Sequence, residues 1–271
     1  MFKLLAVTML AFLAGCASPA HNLHQLTSSG SGSLTVLNGG TFPIQAWVPQ
    51  VASNPLRVFI EGDGYAWVTA SRPSADPTPR TPTILRLAIA EQGAGYLARP
   101  CQYVRRPLCG PAVWTDGRFS PQALDSMSKA LDGLMRASGA ARVELVGYSG
   151  GAAIALLLAA TRADVASVQT IAGNLSPRLW AQAKGHTGLA SALDPTDFAA
   201  QLSKVPQRHL VARSDSVIPR EVQNRYVATL GVDAPVEVVE FEGDHWSGIA
   251  GAWRQYGQQP LVISVSQEKA R

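Results

Sequence analysis

Three residues of this 271-residue chain stand where nucleophilic chemistry can be assembled: Ser149, Asp215 and His245, each just beyond a short apolar run. Ser149 sits in Gly147-Tyr148-Ser149-Gly150-Gly151. Val143 to Val146 before it reads as a buried strand of a parallel sheet, and the alanine- and leucine-rich stretch through Thr161 after it reads as a helix. Strand, sharp turn and helix place the serine at an apex. Gly147 and Gly151 lie where strand and helix approach closely and a Cβ has no room. Such a turn lifts the hydroxyl clear of the sheet and points the first helical N–H groups, with their partial positive charge, at the space beside it. That arrangement suits a developing oxyanion. In a chain with 24 glycines the pentapeptide alone is a weak signal, and its flanks carry the argument.

A neutral serine needs a base to take its proton, and the base needs a carboxylate to fix its tautomer. Asp215 follows the strand Gln207 to Val211 and precedes Pro219, which starts the next helix. His245 follows the last strand, Val236 to Phe241, in the loop Glu242-Gly243-Asp244-His245-Trp246, where a histidine is placed to act as a mobile base. Asp244 is the tempting alternative acid, but sequence neighbours rarely face each other usefully. Asp233, in a turn before the final strand, is held in reserve. His209 lies inside a strand and reads as a core or edge residue, and His21 and His24 read as solvated. Glu61 and Asp63 resemble a glycosidase carboxylate pair only superficially, because two positions apart on one strand end they are too close to flank a glycosidic bond.

The elements that must hold these residues alternate between strand and helix. Leu34 to Leu37 and Ile44 to Val48 read as strands joined by a turn at Asn38-Gly39-Gly40, and Leu56 to Ile60 as a buried strand running into Glu61-Gly62-Asp63-Gly64. Residues 65–82 read as a proline-stiffened loop, Thr83 to Gln92 as a helix and Gly95 to Arg99 as a strand. Ser120 caps a helix that reaches Arg136, with Pro121 in its first turn. Val165 to Ile171 is a further strand, and residues 173–205 hold a short helix around Pro177 to Lys184 and an irregular stretch containing His186, Asp194 and Asp197.

The order Ser149, Asp215, His245 resembles the triad order of the α/β-hydrolases, and the resemblance covers roughly residues 34–257. It implies a mostly parallel central sheet with helices on both faces, within a domain spanning 34–260. Residues 173–205 would then be a small cap insertion, and 261–271 a C-terminal tail. It also implies that the loop after the strand Leu56 to Ile60 supplies a second oxyanion N–H, beside that of Gly150. Glu-Gly stands here where the family often has His-Gly, so by position Asp63 is the donor and Gly64 the fallback. The implied activity is a serine hydrolase of carboxylic esters, working through an acyl-enzyme on a small-molecule ester, with no cofactor and no metal. A peptidase or amidase with the same triad is the alternative, as is a catalytically silent binding protein that keeps the fold.

The first 16 residues read as a targeting segment, with Lys3, an apolar run from Leu4 to Leu13 and then Leu13-Ala14-Gly15-Cys16. The apolar run is too short for a permanent membrane span. It resembles a bacterial lipobox, which implies cleavage before Cys16, lipidation of its sulfur and a lipid-anchored place in the cell envelope. Ala17 after the cysteine implies the outer membrane, facing the periplasm. Residues 17–33, rich in serine and glycine, read as a flexible tether. With Cys16 lipidated, Cys101 and Cys109 are left in an oxidising compartment, where a disulfide between them is the economical expectation. The hydrophobic content of 46% against 15% charged residues describes a globular domain. The net charge of +4 is dispersed, with no basic stripe interleaved with aromatics, which argues against nucleic-acid binding.

Overall fold

The computed structural model describes Leu23, Leu26, Thr27 and residues 30–261. The segment read as a lipobox, with Cys16, lies outside the described residues.

Ten strands are described: β1 (Gly32–Leu37), β2 (Ile44–Pro49), β3 (Leu56–Ile60), β4 (Trp67–Thr69), β5 (Arg72–Pro73), β6 (Gly95–Leu97), β7 (Val143–Tyr148), β8 (Val165–Ile171), β9 (Gln207–Ala212) and β10 (Val236–Phe241). Eight of them form one sheet in the order β1-β2-β6-β3-β7-β8-β9-β10. The pairs β1–β2 and β2–β6 are antiparallel, and from β6 to β10 every pair is parallel. The chain leaves β3, returns on one side of it as β6, and then crosses to the other side as β7. The loops after β3 and β7 therefore diverge at their carboxyl ends and leave a crevice there, the place where open parallel sheets bind ligands.

β3 and β7 read as largely apolar runs because both faces are covered, whereas β9 buries Gln207, Arg208 and His209. Successive residues feed opposite faces: Val58, Ile60 and Leu145 pack into one core with Met127, Leu131, Ile154 and Tyr226. Phe59, Val146, Ile171 and Leu210 pack into a second core with Ile84, Leu85 and Trp253. The helices α3 (Pro121–Ser138), α4 (Gly150–Thr161) and α7 (Arg220–Leu230) thus cover one face. The other is covered by α1 (Thr83–Ala90) and the turn around Trp253, and the short α2 (Pro111–Trp114) precedes α3 in the chain. The expected helix-capping serine is present: Ser120 Oγ accepts from Ala123 N at 3.3 Å, and the helix closes on Gly139 at φ 72°. In α4 the residues from Gly150 to Ala159 are all buried, which is why it shows no polar face in the sequence.

Several sequence boundaries shift. The strand expected over Gly95 to Arg99 ends at Leu97, and the helix expected to reach Gln92 ends at Ala90. The loop 65–82 contains the small hairpin β4–β5. The stretch read as a tether is not wholly detached: Leu23 is buried in the Trp47 and Ile84 core, and β1 begins at Gly32. In residues 173–205 the structure has α5 (Pro177–Ala183), a 3-10 turn (Pro195–Phe198) and α6 (Ala199–Leu202). Asp194 is buried there, accepting from Ser176 Oγ at 2.8 Å and from Arg178 N at 2.8 Å. Asp197 pairs with Arg178 at the surface, and the His186 ring lies tilted against Trp180, with centroids 5.4 Å apart. Cys101 and Cys109 form a disulfide, with an S–S distance of 2.10 Å.

Candidate active site

The carboxyl ends of β3, β7, β9 and β10 carry the residues that the sequence singles out. Ser149, between β7 and α4, adopts φ 49° and ψ −123°, a backbone conformation that costs a non-glycine residue on the order of 1–3 kcal/mol. Its neighbours permit the turn: a Cβ on Gly147 would collide with the backbone of Gly151 and Ala152, and one on Gly151 with the carbonyls of Ile60 and Glu61.

His245 Nε2 lies 2.9 Å from Ser149 Oγ, and His245 Nδ1 lies 2.8 Å from Asp215 Oδ2. Three residues far apart in the chain are thus aligned, with the imidazole between hydroxyl and carboxylate. The other oxygen of Asp215, Oδ1, accepts from Val217 N and Ile218 N, both at 2.8 Å. Those bonds hold the carboxylate as an acceptor, so Nδ1 of His245 donates to it and Nε2 faces the Ser149 hydroxyl as an acceptor. The rival acids serve elsewhere. Asp244 Oδ1 accepts from Trp246 N and Ser247 N at 2.8 Å each, bonds that hold its exposed carboxyl below the usual range. Asp233 is exposed in the turn before β10. His209 is buried in β9 against Thr170 Oγ1 at 2.9 Å, and burial pushes its pKa down to about 3, so it stays neutral.

His245 is not loosely held. Its side chain is buried, and its own carbonyl accepts from Tyr148 Oη at 2.7 Å. The mobility expected of a glycine-containing loop is therefore curtailed at this residue. Tyr148, the residue before the serine, was not among the sequence candidates. A tyrosine in the variable position of a serine turn gives no sign by itself of where its hydroxyl goes.

Gly150 begins α4, and its N–H, like that of Asp63, has no acceptor among the described residues. The two amides lie on the two loops that border Ser149. The Asp63 carboxylate fits against Gly150 where a side chain would otherwise sit. It is neutralised by Arg118 Nε at 3.0 Å and Arg99 Nη1 at 3.4 Å. The segment 96–102 holds the rest of this loop. Glu61 N donates to Leu97 O at 3.0 Å, Tyr96 Oη donates to Glu61 Oε2 at 3.0 Å, and Gln102 Nε2 donates to Gly62 O at 2.9 Å. Burial pushes the Glu61 carboxyl up to about 7, against the opposing hydrogen bonds from Gly62 and Tyr96. Arg99 is pushed down to about 10, also by burial. Gly64, at φ 65°, packs against Pro77 O and Gln102, so the backbone turns there.

A cavity of about 660 Å³ opens in front of Ser149, bounded by Trp180, Tyr65, Trp67, Ile218 and Trp246. Trp180 comes from the 173–205 region and is fixed by donating to Val217 O at 2.8 Å.

No family model matches the chain, and no curated protein matches it in sequence. Solved structures do. The Pyrococcus furiosus esterase Pf2001 superposes with a TM-score of 0.61 at 12% identity, over 86% of this chain and 90% of that one. The sheet order, the serine turn and these superpositions agree. The chain has the α/β-hydrolase fold. A putative dienelactone hydrolase from Klebsiella pneumoniae shares this α/β-hydrolase architecture with a TM-score of 0.57 at 20% identity, over 81% of this chain and 88% of that one. An acylaminoacyl peptidase from Pyrococcus horikoshii matches at 12% identity with a TM-score of 0.59. That match covers 86% of this chain and 40% of the longer peptidase. Across this range of named activities the α/β-hydrolase scaffold is common, so the chemistry must be argued from the site itself.

Proposed function

We propose that the protein is a serine hydrolase of carboxylic esters that works through an acyl-enzyme. The observation that carries this reading is the continuous alignment of Ser149 Oγ, His245 and Asp215 at 2.9 and 2.8 Å. In the first step Ser149 Oγ attacks the ester carbonyl carbon as His245 Nε2 takes its proton. The oxyanion is met by the N–H groups of Gly150 and Asp63, and Asp215 stabilises the imidazolium. Collapse of the tetrahedral adduct breaks the carbon–oxygen bond to the alcohol, which leaves with the proton from Nε2. Water, deprotonated by the same nitrogen, then attacks the acyl-serine and regenerates the hydroxyl.

The strained backbone at Ser149 favours a working nucleophile over a silent binding scaffold, because a residue with no task gains nothing from that conformation. Labelling with a fluorophosphonate, followed by mapping of the modified residue, tests the proposal. Modification at Ser149 together with turnover of short 4-nitrophenyl esters supports it, and an unmodified Ser149 in folded protein overturns it. Amide substrates, the alternative suggested by the peptidase of the same fold, separate from esters in the same assay. Lipidation at Cys16, and with it an outer-membrane location, is proposed on the Leu13-Ala14-Gly15-Cys16 sequence. Among the described residues no helix is long and apolar enough to cross a membrane. Mass spectrometry of the mature amino terminus decides the point: an acylated Cys16 supports the anchor, and a free thiol refutes it.

A further inference from the structure

The cavity in front of Ser149 is lined by two arginines, Arg80 and Arg118, and by two acids, Glu61 and Asp63, and Arg99, outside the lining, also reaches Asp63. Arg118 lines it and is 8% exposed. Its Nη1 donates to Thr115 O at 2.6 Å, and its guanidinium lies 5.0 Å from the Phe119 ring. Its Nε is 3.0 Å from Asp63 Oδ2, yet out of line for a hydrogen bond. Arg99 reaches the same carboxylate from behind, and its buried Nε also lacks an acceptor among the described residues. Two guanidiniums thus share one carboxylate. Asp215, the acid behind His245, is engaged by the imidazole and two amides. Glu61, the remaining acid in the wall, is bound by Tyr96 and Gly62.

A third cation belongs to the same wall. Arg80 lines the cavity, is exposed, and has no ion-pair partner among the described residues. Its guanidinium is stacked 3.5 Å from the centre of the Tyr65 ring. That stack is held from both sides: Tyr65 N donates to Pro77 O at 3.0 Å, and Arg80 lies between Pro79 and Pro82. An arginine fixed in this way loses less freedom on meeting an anion than a free surface arginine would. The same cavity is lined by Tyr65, Trp67, Trp180, Ile218 and Trp246.

We propose that the esters taken by this site carry a carboxylate at the end of an apolar segment, and that Arg80 and Arg118 recognise it. The proposal rests on the serine-hydrolase reading of Ser149 and narrows its substrate class. A carboxylate meeting a guanidinium forms charge-assisted, often bidentate hydrogen bonds, which neutral esters of the same length forgo.

The test compares two 4-nitrophenyl esters of one skeleton, the adipate with its second carboxyl free and the same compound capped as a methyl ester. With background hydrolysis subtracted, kcat/KM for the free acid should exceed that for the capped ester by about tenfold or more at low ionic strength. This ratio should fall at least about fivefold in Arg80→Gln, and also in Arg118→Gln where melting shows that variant folded. Arg80 is exposed, so its variant keeps the test open if Arg118→Gln fails to fold. A ratio of one or below in the wild type, with the capped ester turned over, overturns the proposal while leaving the serine-hydrolase reading intact. A high ratio that Arg80→Gln does not lower, and that folded Arg118→Gln does not lower either, overturns the assignment to these arginines. Failure of Ser149 to take a fluorophosphonate removes the underlying reading instead. Where Ser149 is labelled but neither ester turns over, the comparison becomes protection from labelling by adipate against adipamide. Selective protection by adipate supports the proposal, and equal protection or none overturns it.

Discussion

Tyr148 and His245 are joined across 97 positions by a 2.7 Å hydrogen bond, from the tyrosine hydroxyl to the histidine's own carbonyl oxygen. The residue immediately before the proposed nucleophile thus fixes the backbone of the residue proposed as its base. In Tyr148→Phe the carbonyl loses its donor, and the ring loses its register against Ser149. A fall in kcat of roughly three- to thirtyfold with little change in KM is expected, as for loss of one positioning hydrogen bond. Steady-state kinetics on one short ester check it, and a loss confined to KM would contradict the positioning role.

Ser149→Ala should abolish turnover of short activated esters in protein that remains folded. Ser149→Gly should be equally inactive yet more stable than Ser149→Ala by about 1–2 kcal/mol, because glycine adopts φ 49° without the penalty. Urea unfolding of the two variants measures this difference. Equal stability would show that the turn stores no strain.

Asp215→Asn should lower kcat/KM by roughly 10²–10⁴, since the tautomer of His245 is no longer fixed. Asp244→Asn and Asp233→Asn should each cost less than about tenfold, because neither carboxylate supports the imidazole. Asp244 instead caps the amides of Trp246 and Ser247. A larger loss at either of these two than at Asp215 would overturn the assignment of the acid.

Glu61 predicts a pH dependence of stability. Burial raises its folded pKa to about 7 from an ordinary value of 4.5. The folded state therefore holds a proton that the unfolded state releases across this interval, and this contribution to stability is full below 4.5 and is lost as pH rises towards 7. Glu61→Gln keeps an oxygen acceptor but cannot ionise. Relative to wild type it should gain roughly 1–3 kcal/mol between pH 4.5 and pH 7.5. Parallel pH profiles of the two proteins would refute the assignment.

The disulfide closes a turn of sequence separation 8 and fixes the segment whose Gln102 holds the Gly62 carbonyl. Replacing Cys101 and Cys109 together by serine should reduce stability by about 2–3 kcal/mol on the chain-entropy model. It should also lower kcat by several-fold, as the loop carrying the Asp63 amide loosens. Melting and ester turnover of the double variant report the two effects separately.

Much of this fold was legible in the sequence because its signals are local. The parallel strands β3 and β7 are largely apolar runs, and Ser120 and Pro121 open α3 through their own backbone preferences. The serine turn announces itself because glycine alone fits where β7 and α4 touch. The choice of Ser149, Asp215 and His245 followed from their places beyond strand ends, and the folded chain brings those three together. What the sequence could not contain is contact across the sheet. The bond from Tyr148 to His245 was unreadable, since a hydroxyl in a variable position has no pattern that reveals its partner. The same holds for the three side chains from 96–102 that hold Glu61, Gly62 and Asp63, and for the burial that raises the Glu61 carboxyl. Leu23 shows the limit from the other side: a polar, serine-rich surrounding suggested a free tether, and a single apolar side chain found the Trp47 core. Local backbone chemistry is written residue by residue, whereas hydrogen-bond partners, charge balance and cavity walls arise only when distant segments meet in three dimensions.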